Sequence, residues 1–516
     1  MTHHTSLPYV AGLLQSTAYA EPVDQIIVRE THISWVLLTG RYAYKIKKPV
    51  NLGFVDFTTL EKRRHFCEEE LRLNSRYSSD LYLDVISITG SPEDPKMAGP
   101  GPAIEVALRM RQFNEKWLLS NLLAAGEVTR EMLAELARGI NQAHQAAPAA
   151  SLRDDWGSSQ QILKPITENF VELQQGTSFP ARKTQLQRLE EWSLVTFEQL
   201  RKTFDHRQRN GHVRECHGDL HLGNIVVWRG HVTPFDCIEF NPAFRWIDTM
   251  SEVAFVVIDL DKHGRYDLAA CFLNRYLEQS GDYSGLSVLR FYLVYRAVVR
   301  AKVELLRLQQ IQNSSNKCEC GESVLQNYLD LATRSTQTGT GRLIITHGLS
   351  GSGKTWGTES LIESLRAIRI RSDVERKRIY GITSTPLQTA SPAELYSAAM
   401  TQRTYDRLAQ LARELIQAGF PVIVDATFLH RADRTRFLKL ARELNVAFQI
   451  ISFEAEVQVL RERIQQRARA GQDASDATIE VMETQRATYE PLDEKERAQC
   501  VTVNELMRDQ HLAQNT

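Results

Sequence analysis

From Gln25 to Phe113 the apolar positions fall in short runs of strand formers. Ile33 to Leu38 is one such run, Thr39-Gly40-Arg41-Tyr42 reads as a turn, and Ala43 to Ile46 resumes as a strand. Leu60 to Arg76 instead carries charge and apolar residues at helical spacing, and two more strands are predicted near Leu83–Ile88 and Ala103–Met110. The Pro- and Gly-rich stretch between them, Gly90 to Pro102, reads as a loop. From Asn114 to about Thr333 the period becomes helical. Met132, Leu133, Leu136, Ile140 and Ala143 form one stripe and Leu289 to Leu308 another, interrupted by a strand–loop segment from Cys216 to Asn241. The polar, Gly/Thr-rich stretch Arg334 to Arg342 reads as a linker. Beyond it, Leu343–Thr346, Pro421–Asp425 and Ala447–Phe453 are β-rich runs separated by long helical stretches, the pattern of a parallel α/β sheet.

Composition narrows the class. With 516 residues, 42% of them hydrophobic and 24% charged, the chain can bury several cores and is not wholly disordered. Lys plus Arg (62) balance Asp plus Glu (63), so no global field draws it to nucleic acid or anionic membrane. No window approaches the roughly 18 apolar residues that cross a bilayer. Ala18-Tyr19-Ala20 resembles a signal-peptidase site, but no Lys or Arg precedes Arg29, and Gly12, Gln15, Ser16 and Thr17 break the apolar stretch. Seven cysteines do not make a disulfide framework, and the close pair Cys318 and Cys320 lacks neighbouring metal ligands. The expectation is a reduced, cytoplasmic protein.

Gly348-Leu-Ser350-Gly351-Ser352-Gly353-Lys354-Thr355 is a complete phosphate-binding loop, following an apolar strand and opening a helix. Its glycines let backbone N–H groups close around phosphates, Lys354 reaches the β- and γ-phosphates, and Thr355 offers a hydroxyl to Mg²⁺. Two acids end predicted strands. Val422-Ile-Val-Asp425 suits Mg²⁺ or its water, and Ile370-Arg-Ser-Asp373 leads into Val374-Glu-Arg376-Lys377. An Asp facing the γ-phosphate can deprotonate an acceptor hydroxyl, and a nearby Arg can hold an anionic acceptor. Arg461, Arg463, Arg467 and Arg469 form a basic stretch able to close over a triphosphate, or simply a solvated helix face. The loop, the SDVERK segment and the VIVDATF segment together resemble the P-loop kinases of the zeta-toxin, gluconate-kinase and polynucleotide-kinase type. That resemblance implies Asp373 as general base, Asp425 as a magnesium-site or transition-state residue and Arg376 as a substrate-phosphate contact.

A second set lies upstream: His217-Gly-Asp219-Leu-His221-Leu-Gly-Asn224, then Phe235-Asp236-Cys-Ile-Glu239. An Asp and an Asn five apart on a tight loop, with an Asp beyond a hairpin, supply a base and two magnesium ligands. Ile225–Trp228 and Val232–Phe235, separated by Arg229-Gly-His231, form that hairpin. HGDLHLGN and PFDCIEF resemble the catalytic loop and metal segment of the aminoglycoside phosphotransferase and choline-kinase branch of the protein-kinase-like fold. By that resemblance Asp219 is the base, Asn224 and Asp236 bind magnesium, and His217 buttresses the loop; His221, beside the base, touches acceptor or packs. Tyr42-Ala-Tyr-Lys45 resembles the strand whose lysine grips the nucleotide phosphates, with Lys47 a rival on the same face. Glu68, Glu69 and Glu70 are the choices for its partner, Glu69 being favoured. No G-X-G-X-X-G precedes Lys45, so phosphate cover must come from another loop.

The combined expectation is an α/β multidomain chain. A bilobal protein-kinase-like fold (1–113 an α+β lobe, 114–333 a mainly helical lobe) is followed by a linker at 334–341 and a P-loop parallel α/β sandwich at 342–516. Each catalytic half would use ATP and Mg²⁺ to phosphorylate a hydroxyl of a small molecule, without nucleic acid or membrane as partner. The rival expectations are one active kinase gated by an ATP-sensing half, or a C-terminal kinase for nucleic-acid ends or nucleotide sugars.

Overall fold

The computed structural model describes residues 8–514 apart from 54, 152, 178, 313–318, 340, 382–391, 471–474 and 476. Cys318 of the cysteine pair therefore lies outside the described residues. The chain divides into two compact units, Met1–Glu172 with Leu194–Asp259 and Leu173–Ser193 with Leu260–Thr516. No helix among the described residues is long and apolar enough to cross a membrane.

The first unit opens with a six-stranded antiparallel sheet: β1 (Ile27–Glu30), β2 (Ser34–Leu38), β3 (Tyr42–Lys47), β4 (Tyr82–Gly90), β5 (Pro95–Met97) and β6 (Glu105–Arg111), in the order β1-β2-β3-β6-β4-β5. Alternation sends Trp35, Leu37, Tyr44 and Ile46 to one face, where they pack with Val10, Leu13 and Tyr19. The other face, with Val106 and Leu108, meets Cys67 of the helix Leu60–Asn74. The Thr59 side chain caps that helix by accepting from the Lys62 N–H. β5 lies inside the predicted loop Gly90–Pro102; Gly90 at φ +87° turns the chain back, so Ile88 pairs with Met97. The hairpin Ile225–Trp228 and His231–Pro234 is joined by Arg229 and Gly230, both at positive φ, the geometry that matches strand twist.

In the second unit, four parallel strands run in the order Ile368–Arg371, Val422–Asp425, Arg342–His347, Ala447–Ser452. Continuous apolar runs bury Leu343, Ile344, Ile345, Val422, Ile423 and Val424 completely, as a sheet covered on both faces requires. The phosphate-binding loop leaves the central strand Arg342–His347 at its carboxyl end, and Asp425 ends the neighbouring strand; this edge is where such sheets bind ligands. The helix Tyr266–Ser280 also belongs to this unit. Its Ala270 joins Ile344, Leu361, Ile362, Leu365 and Ala367 in one core, and Gly281 in the left-handed conformation ends it.

Two candidate active sites

In the first unit, β3 and the helix Leu60–Asn74 meet at a buried knot of charge. Lys45 and Lys47, two residues apart, leave β3 on the same face. Lys45 Nζ lies 2.7 Å from Glu70 Oε1 and 2.5 Å from Asp236 Oδ1. Lys47 Nζ lies 2.8 Å from the other oxygen of Glu70 and also pairs with Glu239. Burial alone would lower Lys45, but Asp236 and Glu70 outweigh it and hold the ammonium well above the usual lysine value. The expectation of Glu69 as partner is corrected. Consecutive helical residues point about 100° apart, and Glu70 shares the inward stripe of Arg63, Cys67 and Asn74. Glu69 turns instead to Arg72, 2.9 Å away, and to Arg245 at 3.5 Å. The spacing from Cys67 to Glu70 to Asn74 carried that signal.

Asp236 sits at φ +66°, in the left-handed region that non-glycine residues rarely adopt. It is pinned there because its N–H donates to the Tyr82 hydroxyl at 3.0 Å, while the next N–H, of Cys237, donates to Asn74 Oδ1 at 3.0 Å. Asn224 donates its amide to the Asp219 carbonyl at 3.0 Å and approaches Asp219 Oδ2 at 3.4 Å, leaving its own amide oxygen for a cation. An amide oxygen and a carboxylate are the hard donors that Mg²⁺ prefers, so these residues fit that ion. Burial lowers the His217 imidazole below its ordinary value, with the Glu252 carboxylate pulling the other way, and its Nε2 bonds the Phe235 carbonyl at 2.8 Å, tying the catalytic loop to the metal segment. His221 caps the turn at Leu222–Asn224, accepting from the Gly223 N–H at 3.0 Å, with Nε2 3.5 Å from Asp219 Oδ2.

Two further acids brace this loop. Glu252 accepts the N–H groups of His217 (2.6 Å) and Gly218 (2.9 Å) on one oxygen and contacts His144 Nε2 at 2.6 Å on the other. Asp259 accepts the Leu222 N–H at 2.9 Å. Both interrupt the apolar helix Thr249–Lys262, and a buried acid in such a run was the readable signal. Cys216 lies with His144 and Glu252 in one buried group. Since both Glu252 oxygens are engaged, hydrogen bonding already accounts for that group.

In the second unit, a cleft of about 220 Å³ is lined by Ser350, Gly351, Gly353, Lys354, Thr355, Asp373, Arg376 and Asp425, with Arg371, Arg463 and Arg467 beside them. Gly348 (φ +139°) and Gly353 (φ +93°) supply backbone conformations closed to other residues, and a Cβ at Gly348 would meet the Phe453 carbonyl at 2.3 Å. Lys354 Nζ rests on the carbonyls of Gly348 (2.9 Å) and Leu349 (2.7 Å) and on Ser352 Oγ (3.4 Å). Burial pulls this ammonium down to about 8, against the opposing pull of Asp425 and Asp373. Thr355 Oγ1 donates to Asp425 Oδ2 at 2.7 Å, a hydroxyl–carboxylate pair that again fits Mg²⁺.

Asp373 lies in the first turn of the helix Ser372–Tyr380 and lines the cleft. Arg376, one turn on and only 8% exposed, stacks over the Tyr396 ring at 4.5 Å and has no ion pair among the described residues. Of the basic stretch, Arg463 and Arg467 line the cleft, with Arg463 Nη1 3.4 Å from the Gly351 carbonyl and Arg467 Nη2 2.9 Å from the Ala477 carbonyl. Arg461 is spent on Glu483, 2.6 Å away. Gln485, which nothing in the sequence marked, accepts the Ser350 N–H at 3.0 Å.

Residues 343–492 match a family described as an AAA domain. Over 471 residues, 90% of this chain and 91% of theirs, the chain is 32% identical to proteins of Mycobacterium bovis and Mycobacterium tuberculosis, among them Rv2004c, each described as uncharacterized. Similar solved structures include an ethanolamine kinase from Plasmodium vivax (13% identity, 61% of this chain and 82% of that one, TM-score 0.35). A gluconokinase from Sinorhizobium meliloti is another (22%, 34% and 95%, TM-score 0.23). The Mycobacterium tuberculosis APS kinase CysC is a third (18%, 34% and 99%, TM-score 0.24).

Proposed function

The chain belongs to the family of the mycobacterial protein Rv2004c and is a phosphotransferase with a kinase-like half and a P-loop half, and from that premise we propose that both halves are active kinases. Each transfers the ATP γ-phosphoryl group to a hydroxyl of a small molecule, the kinase-like half drawing on 1–333 and the P-loop half on 342–516. The observation that carries this is the completeness of both sets: each has a lysine for phosphate, a hard-oxygen pair for Mg²⁺ and a separate carboxylate for the acceptor.

In the first half, Lys45, oriented by Glu70, holds the nucleotide phosphates, and Asp219 takes the acceptor proton while His217 and Glu252 fix its loop. Asn224 and Asp236 would hold magnesium, with His221 available to the acceptor. In the second, the loop Gly348–Thr355 and Lys354 cradle the β- and γ-phosphates, Arg467 reaches them from the helix Val457–Ala470, and Asp373 is the base. Thr355 and Asp425 would hold magnesium there. Bound magnesium supplies charge neutralisation between the β- and γ-phosphates in both sites. The guanidinium of Arg376, without an ion pair among the described residues and with Arg371 also lining the cleft, suits an acceptor that itself carries an anionic group. The modest cleft favours a small molecule over a polynucleotide end.

The test is transfer of label from γ-labelled ATP to a metabolite extract, with Asp219→Ala and Asp373→Ala beside the parent protein. Loss of a different product, or of successive products, in each variant is the expected result. A variant that changes no product refutes the dual assignment for that half and leaves it an ATP sensor.

A further inference from the structure

Among the described residues, Trp356, Tyr396 and Tyr405 bring aromatic rings to the cleft of the P-loop half. The two tyrosines are already engaged. Tyr396 is covered by the Arg376 guanidinium at 4.5 Å, while the Tyr405 hydroxyl accepts the Phe428 N–H at 3.1 Å and its ring meets that of Phe428 at 5.2 Å. Trp356 differs. It is 88% exposed, against 54% for Phe179, the next most exposed large apolar residue among those described. No hydrogen bond or ring contact among the described residues holds its indole. Single apolar residues on a surface are ordinary, but this one lines a binding cleft and directly follows Lys354 and Thr355.

The cleft has a closed side and an open one. Ser372, Arg376, Tyr405 and Asp425 are buried, so the side where an acceptor would meet Asp373 is closed. Trp356 and Arg463 are exposed, and Arg463 reaches the loop at the Gly351 carbonyl, 3.4 Å away. With the terminal phosphate directed towards Asp425 and Asp373, the far end of the nucleotide, its base, leaves by the open side. An indole there offers a flat π-face and a large apolar area, which is what a base stacks on. We propose that Trp356 is the base-stacking residue of the P-loop half, binding the adenine of the donor rather than its phosphates. This rests on the reading of Gly348–Thr355 as an ATP site.

The test is titration calorimetry of the full-length protein with Mg-ADP and with Mg-pyrophosphate, the kinase-like site being disabled by Asp236→Asn. Trp356→Ala is expected to weaken ADP binding about tenfold. Pyrophosphate, which carries phosphates without a base, should stay within about twofold of the background. Trp356→Phe keeps a π-face and should hold ADP to within about threefold. The position is exposed, so neither substitution should move the melting curve. Unchanged ADP affinity in Trp356→Ala, equal losses of ADP and pyrophosphate, or a Phe variant as poor as the Ala variant overturns the stacking role. The first of these, joined to a raised acceptor KM, would give the indole to the acceptor instead. Should pyrophosphate bind too weakly to titrate, the comparison of Phe with Ala decides. Lys354→Met separates the two levels: undiminished ADP binding there refutes the reading of the loop as the ATP site.

Discussion

Glu70 and Lys47 form an ion pair of 2.8 Å in which neither side chain is exposed to solvent. The glutamate's other oxygen serves Lys45, so Lys47 keeps Glu70 aimed whether or not Lys45 is engaged with nucleotide. A buried pair broken on one side leaves an uncompensated charge, at a cost of about 3–5 kcal/mol. Lys47→Met is therefore expected to destabilise the unit carrying β3 by about 3 kcal/mol in chemical denaturation. Lys47→Arg, which retains the charge, should recover at least half of that loss. Equal stability of Lys47→Met and the parent would remove the pair from any structural role.

The Lys354 ammonium, lowered to about 8 by burial, gives the second site a pH signature. Bound phosphates stabilise the charged form, so the lysine is fully charged with or without nucleotide below about pH 7. Above about pH 8 the free site must take up a proton on binding, and affinity should fall by about one log unit per pH unit until the bound-state value is reached. Titration calorimetry with Mg-ADP from pH 6.5 to 9.5, with the kinase-like site disabled by Asp236→Asn, should show that break. Lys354→Met should bind weakly and without it. A flat profile in the parent would place the Lys354 value near that of free lysine.

Chemistry carried by contiguous residues was legible in the sequence. Gly348 to Thr355 and His217 to Asn224 each fit within one turn of chain, so spacing alone brings their groups together. Strands β2, β3, β4 and β6 followed from short runs of strand formers, whereas β5 is three residues long and rests on the conformation of Gly90. The slip from Glu70 to Glu69 is a rotation of one residue on a helix whose inward stripe includes Arg63, Cys67 and Asn74, mostly polar residues that hide the periodicity. Glu252 and Gln485 reach their sites from elements distant in sequence, and no local pattern announces which buried acid or amide meets which loop.

Arg376 combines burial, a stacked ring and no ion pair among the described residues, which is unfavourable for stability unless a ligand completes it. Arg376→Met should then raise the stability of its unit by about 1 kcal/mol while raising the acceptor KM by about two orders of magnitude. The KM for ATP should stay within about threefold of the parent, since the phosphates are held elsewhere. Steady-state kinetics with the acceptor found by label transfer, beside a melting curve, separate these effects. An unchanged acceptor KM would assign the anion contact to another arginine.

Glu252 binds the catalytic loop of the kinase-like half by its backbone, through the N–H groups of His217 and Gly218. Burial opposes its charge, but the bond to His144 and the charge of that ring, with further help from His217 and the Gly218 N–H, hold it at about 2 against an ordinary 4.5. A carboxyl lowered on folding contributes stability that is complete above its unfolded value and is lost as pH falls towards the folded one. The window is therefore about pH 4.5 down to 2, and the shift corresponds to about 3 kcal/mol. Glu252→Gln should remove that acid-sensitive increment, so the parent and variant stabilities converge as pH drops below about 4. It should also lower kcat of the kinase-like half at neutral pH by about tenfold or more, with the KM for ATP little changed, because the loop carrying Asp219 loses its anchor. Equal acid sensitivity in parent and variant would show that other carboxylates set the acid limb, and an unchanged kcat would show that the loop holds Asp219 without Glu252.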